Sequence, residues 1–390
     1  MSRDVDVRLK AILPDLIKIR HYIHQHPEIR FEEVGTAALV ERELRSCGVE
    51  ARRIGRTGVV GLIRGRRGGR CVALRADMDA LEMAEETGLP YASTNGRMHA
   101  CGHDGHTTIL LGAARILSAM RGRLPGAVKL IFQPAEERGG GALELCRAGV
   151  MRNPRVDAIF GLHGFSEYPL GAIAASPGPV MAACDTLYMT VTGRGAHGGH
   201  PHQGIDPVVV AARIIEALQT IASREIAPIE PVVVSVTKVQ AGFTANIIPE
   251  RVEMLGTIRT ISGQTRQKVF ASIRRIAAHT AAAHGAKCRI TIEPGYPVTV
   301  NHDEMTTLVR RVGAAVLGAA NVHQQRLSMG AEDFSYYLAH APGCFFRLGL
   351  SSSSRPCAPM HSSHFDFNDK AIAPGVRMMV GVAMEFLRGR

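Results

Sequence analysis

Along the first 180 residues, short runs of apolar positions alternate with longer stretches in which apolar residues recur every three or four positions. "RCVALRA" (70–76), "AVKLIFQ" (127–133) and "VDAIFGL" (156–162) read as buried strands. "HTTILLGAARILSAM" (106–120) reads as an apolar-faced helix, with Asp104 available to cap its start. Strands alternating with helices predict an open α/β sheet, and ligands of such sheets bind beyond the carboxyl ends of the strands. Asp77 and Asp79 follow the first run, Glu136 and Glu137 the second and His163 the third. Three chain segments thus deliver acidic or imidazole groups to one rim.

From about 180 to 296 the rhythm changes. "CDTLYMTVTGR" reads as a strand, "DPVVVAARIIEALQTI" as a helix, "EPVVVSVTKVQ" and "IIPERVEMLGTIRT" as two strands, "GQTRQKVFASIRRIAAHTAAAHG" as a long helix and "AKCRITIEPG" as a last strand. That order, β-α-β-β-α-β, predicts a ferredoxin-like domain. It is inserted, because the α/β pattern resumes with "CFFRLGL" and a closing helix, "AIAPGVRMMVGVAMEFLRGR". The expected organisation is therefore a mixed-sheet α/β domain over residues 1–179 and 297–390, interrupted by a second domain over 180–296. A chain of 390 residues exceeds the usual reach of one hydrophobic core, which agrees.

Composition changes little: 46% hydrophobic and 21% charged residues describe an ordinary globular chain. The opening "MSRDVDVRLK" is charged, and no stretch offers about 18 consecutive apolar residues, so neither a signal peptide nor a membrane span is expected and the protein is placed in the cytoplasm. Eight cysteines lie scattered without a CxxC pair and read mostly as small buried hydrophobes. The net charge of +11 raises the question of a nucleic-acid partner, but the arginines are spread along the chain, and none is expected. Their densest cluster, "RGRRGGR" (64–70), reads as a hairpin loop between "GVVGLI" and "CVALRA": a solvated turn or a polyanion site.

The chemistry concentrates in "MHACGHDGH" (98–106). Cys101 and His103, alternating in a loop, can face one ion, which would hold the thiol as thiolate. The same pair also admits a thiol nucleophile or a polar loop. Glu136 and Glu137 can divide labour, one binding metal and the other facing its water, or can be a solvated pair at a helix start. His163 and His361 each read as structural when taken singly. Together these residues form a constellation. The H-x-E and P-C-x-x-C pattern of zinc deaminases is absent.

"RADMDAL", "MHACGHDGHT", "QPAEE", "GLHG", "GRGAHGGHPHQGIDP", "NIIPE", "GAEDFSYYL" and "HSSHFDFND" follow one another as in the hippurate hydrolase and auxin-conjugate hydrolase family. The chain resembles that family from about residue 15 to its end; the family belongs to the aminoacylase and carboxypeptidase-like metallopeptidases. The resemblance implies that Cys101, His103, Glu137, His163 and His361 ligate two divalent ions, with Cys101 bridging. Zinc suits a thiolate, and manganese, nickel or cobalt also suit mixed N, O and S ligands. It implies Glu136 as general base towards a shared water and Asp79 as the carboxylate that orients a ligand. It makes the inserted domain a lid and dimerisation domain of a homodimer or homotetramer. There His197, from a partner subunit, would donate to the oxyanion, and Asn246 and Arg259 would grip the substrate carboxylate. Gly330 would bring backbone close to the substrate. Outside the resemblance, His197 reads as a loop histidine, Arg259 as a salt-bridge partner and Gly330 as a simple turn.

The implied activity is metal-dependent hydrolysis of N-acyl amino acids such as hippurate-like, indole-acetyl or N-acetyl conjugates. A carboxypeptidase or dipeptidase is the nearest alternative, and a non-catalytic binding protein the alternative of another class. A cysteine hydrolase would leave Glu136, Glu137, His163 and His361 without a purpose. Two segments depart from the family pattern: "DALEMAEE" (79–86), where relatives commonly read "DALPIQE", and "HGFSEYPLG", which lacks a tryptophan often found there. Both bear on substrate preference.

Overall fold

Eight strands form one mixed sheet in the order Glu50–Ile54, Gly58–Arg64, Ala127–Gln133, Cys71–Asp77, Ala158–Pro169, Gly343–Ser351, Ile173–Ala174 and Val322–His323. The computed structural model describes residues 3–66, 69–354 and 356–389. The sheet belongs to the larger of two compact units, residues 1–180, 300–326 and 333–390. Cys71–Asp77 is buried along its whole length and pairs in parallel on both sides, with Ala127–Gln133 and Ala158–Pro169. That setting suits a continuous apolar run. Helix His103–Ala119 packs between helices Arg3–Gln25 and Ile372–Arg388 and is buried at nearly every position, as expected of a helix that is apolar around most of its circumference.

Gly58–Arg64 and Cys71–Asp77 do not form the expected hairpin. Ala127–Gln133 lies between them, antiparallel to the first and parallel to the second. The basic connection crosses the start of that strand instead, with Gly65 N–H donating to Gly126 O (3.1 Å) and Arg66 N–H to Leu124 O (2.8 Å). Residues 67 and 68, at the centre of the proposed solvated turn or polyanion site, lie outside the described residues.

His163 does not follow a strand either, because Ala158–Pro169 runs through it. Register explains why it still reaches the rim: Arg75 faces Gly161, so position 163 lies level with Asp77, where the neighbouring strand ends.

Asp104 is not a helix cap. Gly102 occupies the N-cap position with no side-chain bond, and the Asp104 carboxylate, fully buried, accepts from Arg20 Nε (2.8 Å) and pairs with His24 Nδ1 (2.8 Å). Arg20, also fully buried, reaches Asp366 and Asp369 as well, tying the first helix to the segment after His361. Removing one partner of a buried ion pair costs about 3–5 kcal/mol, because the others stay buried and uncompensated. Arg20→Met is expected to lower unfolding stability by about that amount, read from urea midpoints at constant slope. A midpoint equal to that of the parent chain would mean that the network contributes nothing net.

The second unit holds residues 181–299 and 327–332. Its strands Val232–Ala241, Arg251–Thr260, Ala183–Thr192 and Lys287–Pro294 form, in that order, an antiparallel sheet carrying helices Pro207–Thr220 and Gly263–Ala283. The element order is β-α-β-β-α-β. Asp206 caps the first helix through Val208 N–H (2.9 Å), and Ser262 the second through Thr265 N–H (3.1 Å). Leu187, Met189, Val191, Ile214, Leu218 and Val269 are among its core residues. This unit covers 181–299 and 327–332 where the sequence suggests 180–296, and Ala182 N–H is within hydrogen-bond reach of both Ser328 O (3.1 Å) and Gly330 O (2.9 Å).

Candidate metal centre

The segment 98–106 is half loop and half helix. Gly102 has φ 85°, a left-handed conformation that glycine adopts without a Cβ penalty. It turns the chain between Cys101, in the loop, and His103, the first residue of the helix. His103 Nδ1 lies 2.8 Å from the Asp79 carbonyl, which leaves Nε2 facing Glu137 Oε1 at 4.0 Å. His361 Nε2 lies 3.2 Å from the same oxygen, and Cys101 Sγ lies 3.4 Å from His163 Nε2. Ligand atoms of Cys101, His103 and Glu137 all fall within 4.8 Å of one another. The structure thus brings together all five residues proposed as ligands from the sequence.

Asp79 and Glu136 sit beside them. The Asp79 carboxylate accepts the backbone N–H groups of both Glu136 and Glu137, each at 3.0 Å, and so fixes the turn that carries the glutamate pair. The preceding Ala135 has φ 52°, and its N–H is held by Glu33 Oε1 (2.9 Å). His361 has φ 64°, and its N–H donates to Ala100 O (2.8 Å). Left-handed backbone at a residue with a side chain costs on the order of 1–3 kcal/mol, and it persists where surrounding contacts over-determine it. Two such residues adjoin or belong to this one cluster.

A second layer lies behind the cluster, built on His106, which the sequence leaves as a supporting or structural histidine. His106 Nδ1 lies 2.6 Å from Asp77 Oδ1, and His106 Nε2 accepts Gly164 N–H at 2.7 Å. The Gly164 carbonyl faces His163 Nδ1 at 2.8 Å, so the His163 proton sits on Nδ1 and Nε2 is left towards Cys101. Arg75, fully buried, donates to the other Asp77 oxygen at 2.6 Å. Neither His106 nor Arg75 carries a local signal, since their partners come from other strands. His99 lies apart from this layer. It is buried with neither ring nitrogen hydrogen-bonded, and burial pushes it down to about 3.

The electrostatics favour a cation. Burial acts against the His103 imidazolium, yet Asp77, Asp79 and Glu137 push its pKa up to about 10. Burial and the Glu137 and Glu136 carboxylates push the Cys101 thiol up. Burial opposes the Glu137 carboxylate, but His361 and His103 hold it below the usual range. His103 Nε2 is buried without a hydrogen-bond partner, a state that normally has a reason. This orphaned nitrogen and the mixed N, O and S donors fit a divalent cation. Its binding would release the Cys101 and His103 protons.

The model of Peptidase family M20/M25/M40 matches residues 73–385. The chain belongs to this family. Thermostable carboxypeptidase 1 of Saccharolobus solfataricus is 41% identical over 378 residues, 95% of each chain. IAA-amino acid hydrolase ILR1-like 4 of Arabidopsis thaliana is 38% identical over 381 residues, 95% of this chain and 86% of that one. A crystal structure of a dinuclear metal-binding M20 peptidase from Bacillus subtilis superposes with a TM-score of 0.86 at 35% identity, covering 98% of this chain and 99% of that one. The M20 chain is thus a hydrolase, with the metal-dependent amidohydrolase chemistry and the mixed-sheet α/β fold that its motifs imply.

The remaining residues singled out in the sequence lie in the second unit. His197 pairs with Ile247 across two short strands, and Gly198 N–H donates to Asn246 O (2.8 Å), so His197 and Asn246 are neighbours. Arg259 stands opposite Val233 and Cys184 in the sheet. It is half-buried, with one terminal nitrogen lacking a partner, and burial pushes its pKa down. The salt-bridge partner expected of a surface arginine is not found among the described residues. Gly330 donates to Ser328 Oγ (3.0 Å) and its carbonyl accepts from Ala182, the contacts of a turn.

Proposed function

We propose that this M20 chain cleaves the amide bond of N-acyl amino acids, releasing a carboxylic acid and a free amino acid. The observation that carries the proposal is the glutamate pair: Asp79 holds the backbone N–H groups of Glu136 and Glu137, and Glu137 lies with Cys101 and His103. In this reading Cys101, His103, Glu137, His163 and His361 would hold two divalent ions, drawn from manganese, zinc, nickel or cobalt, which would acidify the attacking water and polarise the amide carbonyl. Glu136 takes the proton of that water as its oxygen bonds to the carbonyl carbon, and returns it to the amine nitrogen as the C–N bond breaks. Asp79 keeps the Glu136 turn and the His103 ring in register through the bonds described above.

The second unit acts as lid and dimerisation domain of a cytoplasmic homodimer or homotetramer. His197 of a partner subunit donates to the oxyanion, Asn246 and Arg259 take the carboxylate of the amino acid, and Gly330 lets backbone approach the substrate. Carboxypeptidase action on peptide-like amides is the second reading, favoured by the carboxypeptidase relative.

Release of free amine is the test, measured on N-acetyl, benzoyl and indole-acetyl amino acids alongside dipeptides, with manganese and zinc supplied separately. Cleavage without a free α-amine on the substrate is expected, and a strict requirement for that amine would transfer the chain to the dipeptidases. Arg259→Ala is expected to raise KM about tenfold or more for substrates with a free carboxylate, the worth of a charge-assisted pair. An equal rise for the corresponding carboxamides would remove Arg259 from carboxylate recognition.

A further inference from the structure

Beside the candidate ligands, within the larger unit, lies a cavity of about 210 Å³. Glu137 and His361 form part of its wall. The rest divides by depth. Ile29 is buried and Leu81 and Met83 are half-buried, whereas Arg30, Glu82 and Arg138 are exposed. Besides Glu137 and His361, the inner lining is apolar except for buried Asp79, whose carboxylate is taken up by the Glu136 and Glu137 N–H groups, and the rim is charged. Neither arginine makes a hydrogen bond or an ion pair with a described residue, Glu82 included. Two guanidiniums against one carboxylate leave the rim net positive. Glu82 and Met83 are the residues by which "DALEMAEE" departs from the pattern commonly found in relatives, so the departure lines this cavity.

We propose that the cavity receives the acyl part of the substrate and selects acyl groups that end in a carboxylate, as in the monoamide of a short dicarboxylic acid. This inference rests on the N-acyl amino acid reading above, in which Arg259 and Asn246 take the other carboxylate, that of the amino acid. The volume is about seven times the share of one water molecule in the liquid, enough for a few methylene groups and a terminal carboxylate. The methylenes lie along Ile29, Leu81 and Met83, where their burial is favourable. The carboxylate meets Arg30 and Arg138 at the rim, and a guanidinium fork is matched to a carboxylate in a way a single ammonium is not. An acyl group of the same length ending in methyl gains the first contribution and loses the second. Arg30 and Arg138 are specificity-determining residues in this account, with no part in bond breaking.

The test compares N-succinyl and N-butyryl derivatives of one amino acid on the metal-loaded enzyme, for the parent chain, Arg138→Gln, Arg30→Gln and the double variant. The parent chain is expected to favour the succinyl substrate in kcat/KM. The double variant is expected to lower the succinyl-to-butyryl ratio about tenfold or more, through KM, as the loss of charge-assisted bonds predicts. A parent chain that favours butyryl, or a double variant whose ratio matches the parent's, overturns the proposal; a merely structural effect lowers both substrates alike and leaves the ratio in place. If neither substrate is cleaved, the amidohydrolase reading fails by itself. Calorimetric binding of succinate against butyrate then decides the cavity's preference: tighter succinate binding that the double variant loses supports the proposal, and equal binding of the two acids overturns it.

Discussion

Glu136→Gln is expected to reduce turnover to background while the protein keeps its full metal content. The substitution preserves the shape of the side chain and the backbone N–H that Asp79 holds at 3.0 Å, so the turn carrying Glu137 is undisturbed. What is lost is the carboxylate proposed to accept the proton of the attacking water and pass it to the leaving nitrogen. General acid–base catalysis contributes about 10²–10⁴-fold, and here both transfers depend on the same carboxylate, so kcat is expected to fall by at least the upper part of that range. KM changes little, because glutamine occupies the same volume. Steady-state kinetics and elemental analysis of the same preparation check the result. If metal departs along with activity, Glu136 is a ligand and the assignment of the adjacent glutamates is reversed.

Much of this site was legible in the sequence, for reasons that can be traced to particular residues. Asp77, Glu136 and Glu137 lie at or just beyond the carboxyl ends of apolar runs, and parallel pairing of those runs carries them to one rim. His163 reached the rim by a different route, since its strand continues past it to Pro169, and only register reveals the level at which it sits. The β-α-β-β-α-β unit was readable because its main strands run eight to ten residues and its two helices carry side-chain caps. The false hairpin shows the limit of local reading: two apolar runs joined by a short polar link look adjacent, and nothing near them announces that Ala127–Gln133 will insert between them. The same limit hid the partners of the supporting residues. Asp104 looked like a cap because the sequence cannot display Arg20, 84 residues away, as its partner, and His106 gains a role only through Asp77 and Gly164.

The account stands on the claim that Cys101 is a metal-held thiolate and that amide cleavage depends on the ions it helps to bind. In the metal-free chain, burial and neighbouring carboxylates keep the thiol protonated and push His103 up to about 10. Loading a cation must expel those protons, so apparent metal affinity is expected to rise with pH. A Cys–His nucleophile would behave otherwise, since its activity needs only the two side chains. The decisive measurement is hydrolysis of an N-acyl amino acid after exhaustive chelation, followed by titration with manganese or zinc. The predicted result is complete loss of activity, restored as the ions return and saturating near two per chain. Activity that survives verified removal of all metal would contradict the account.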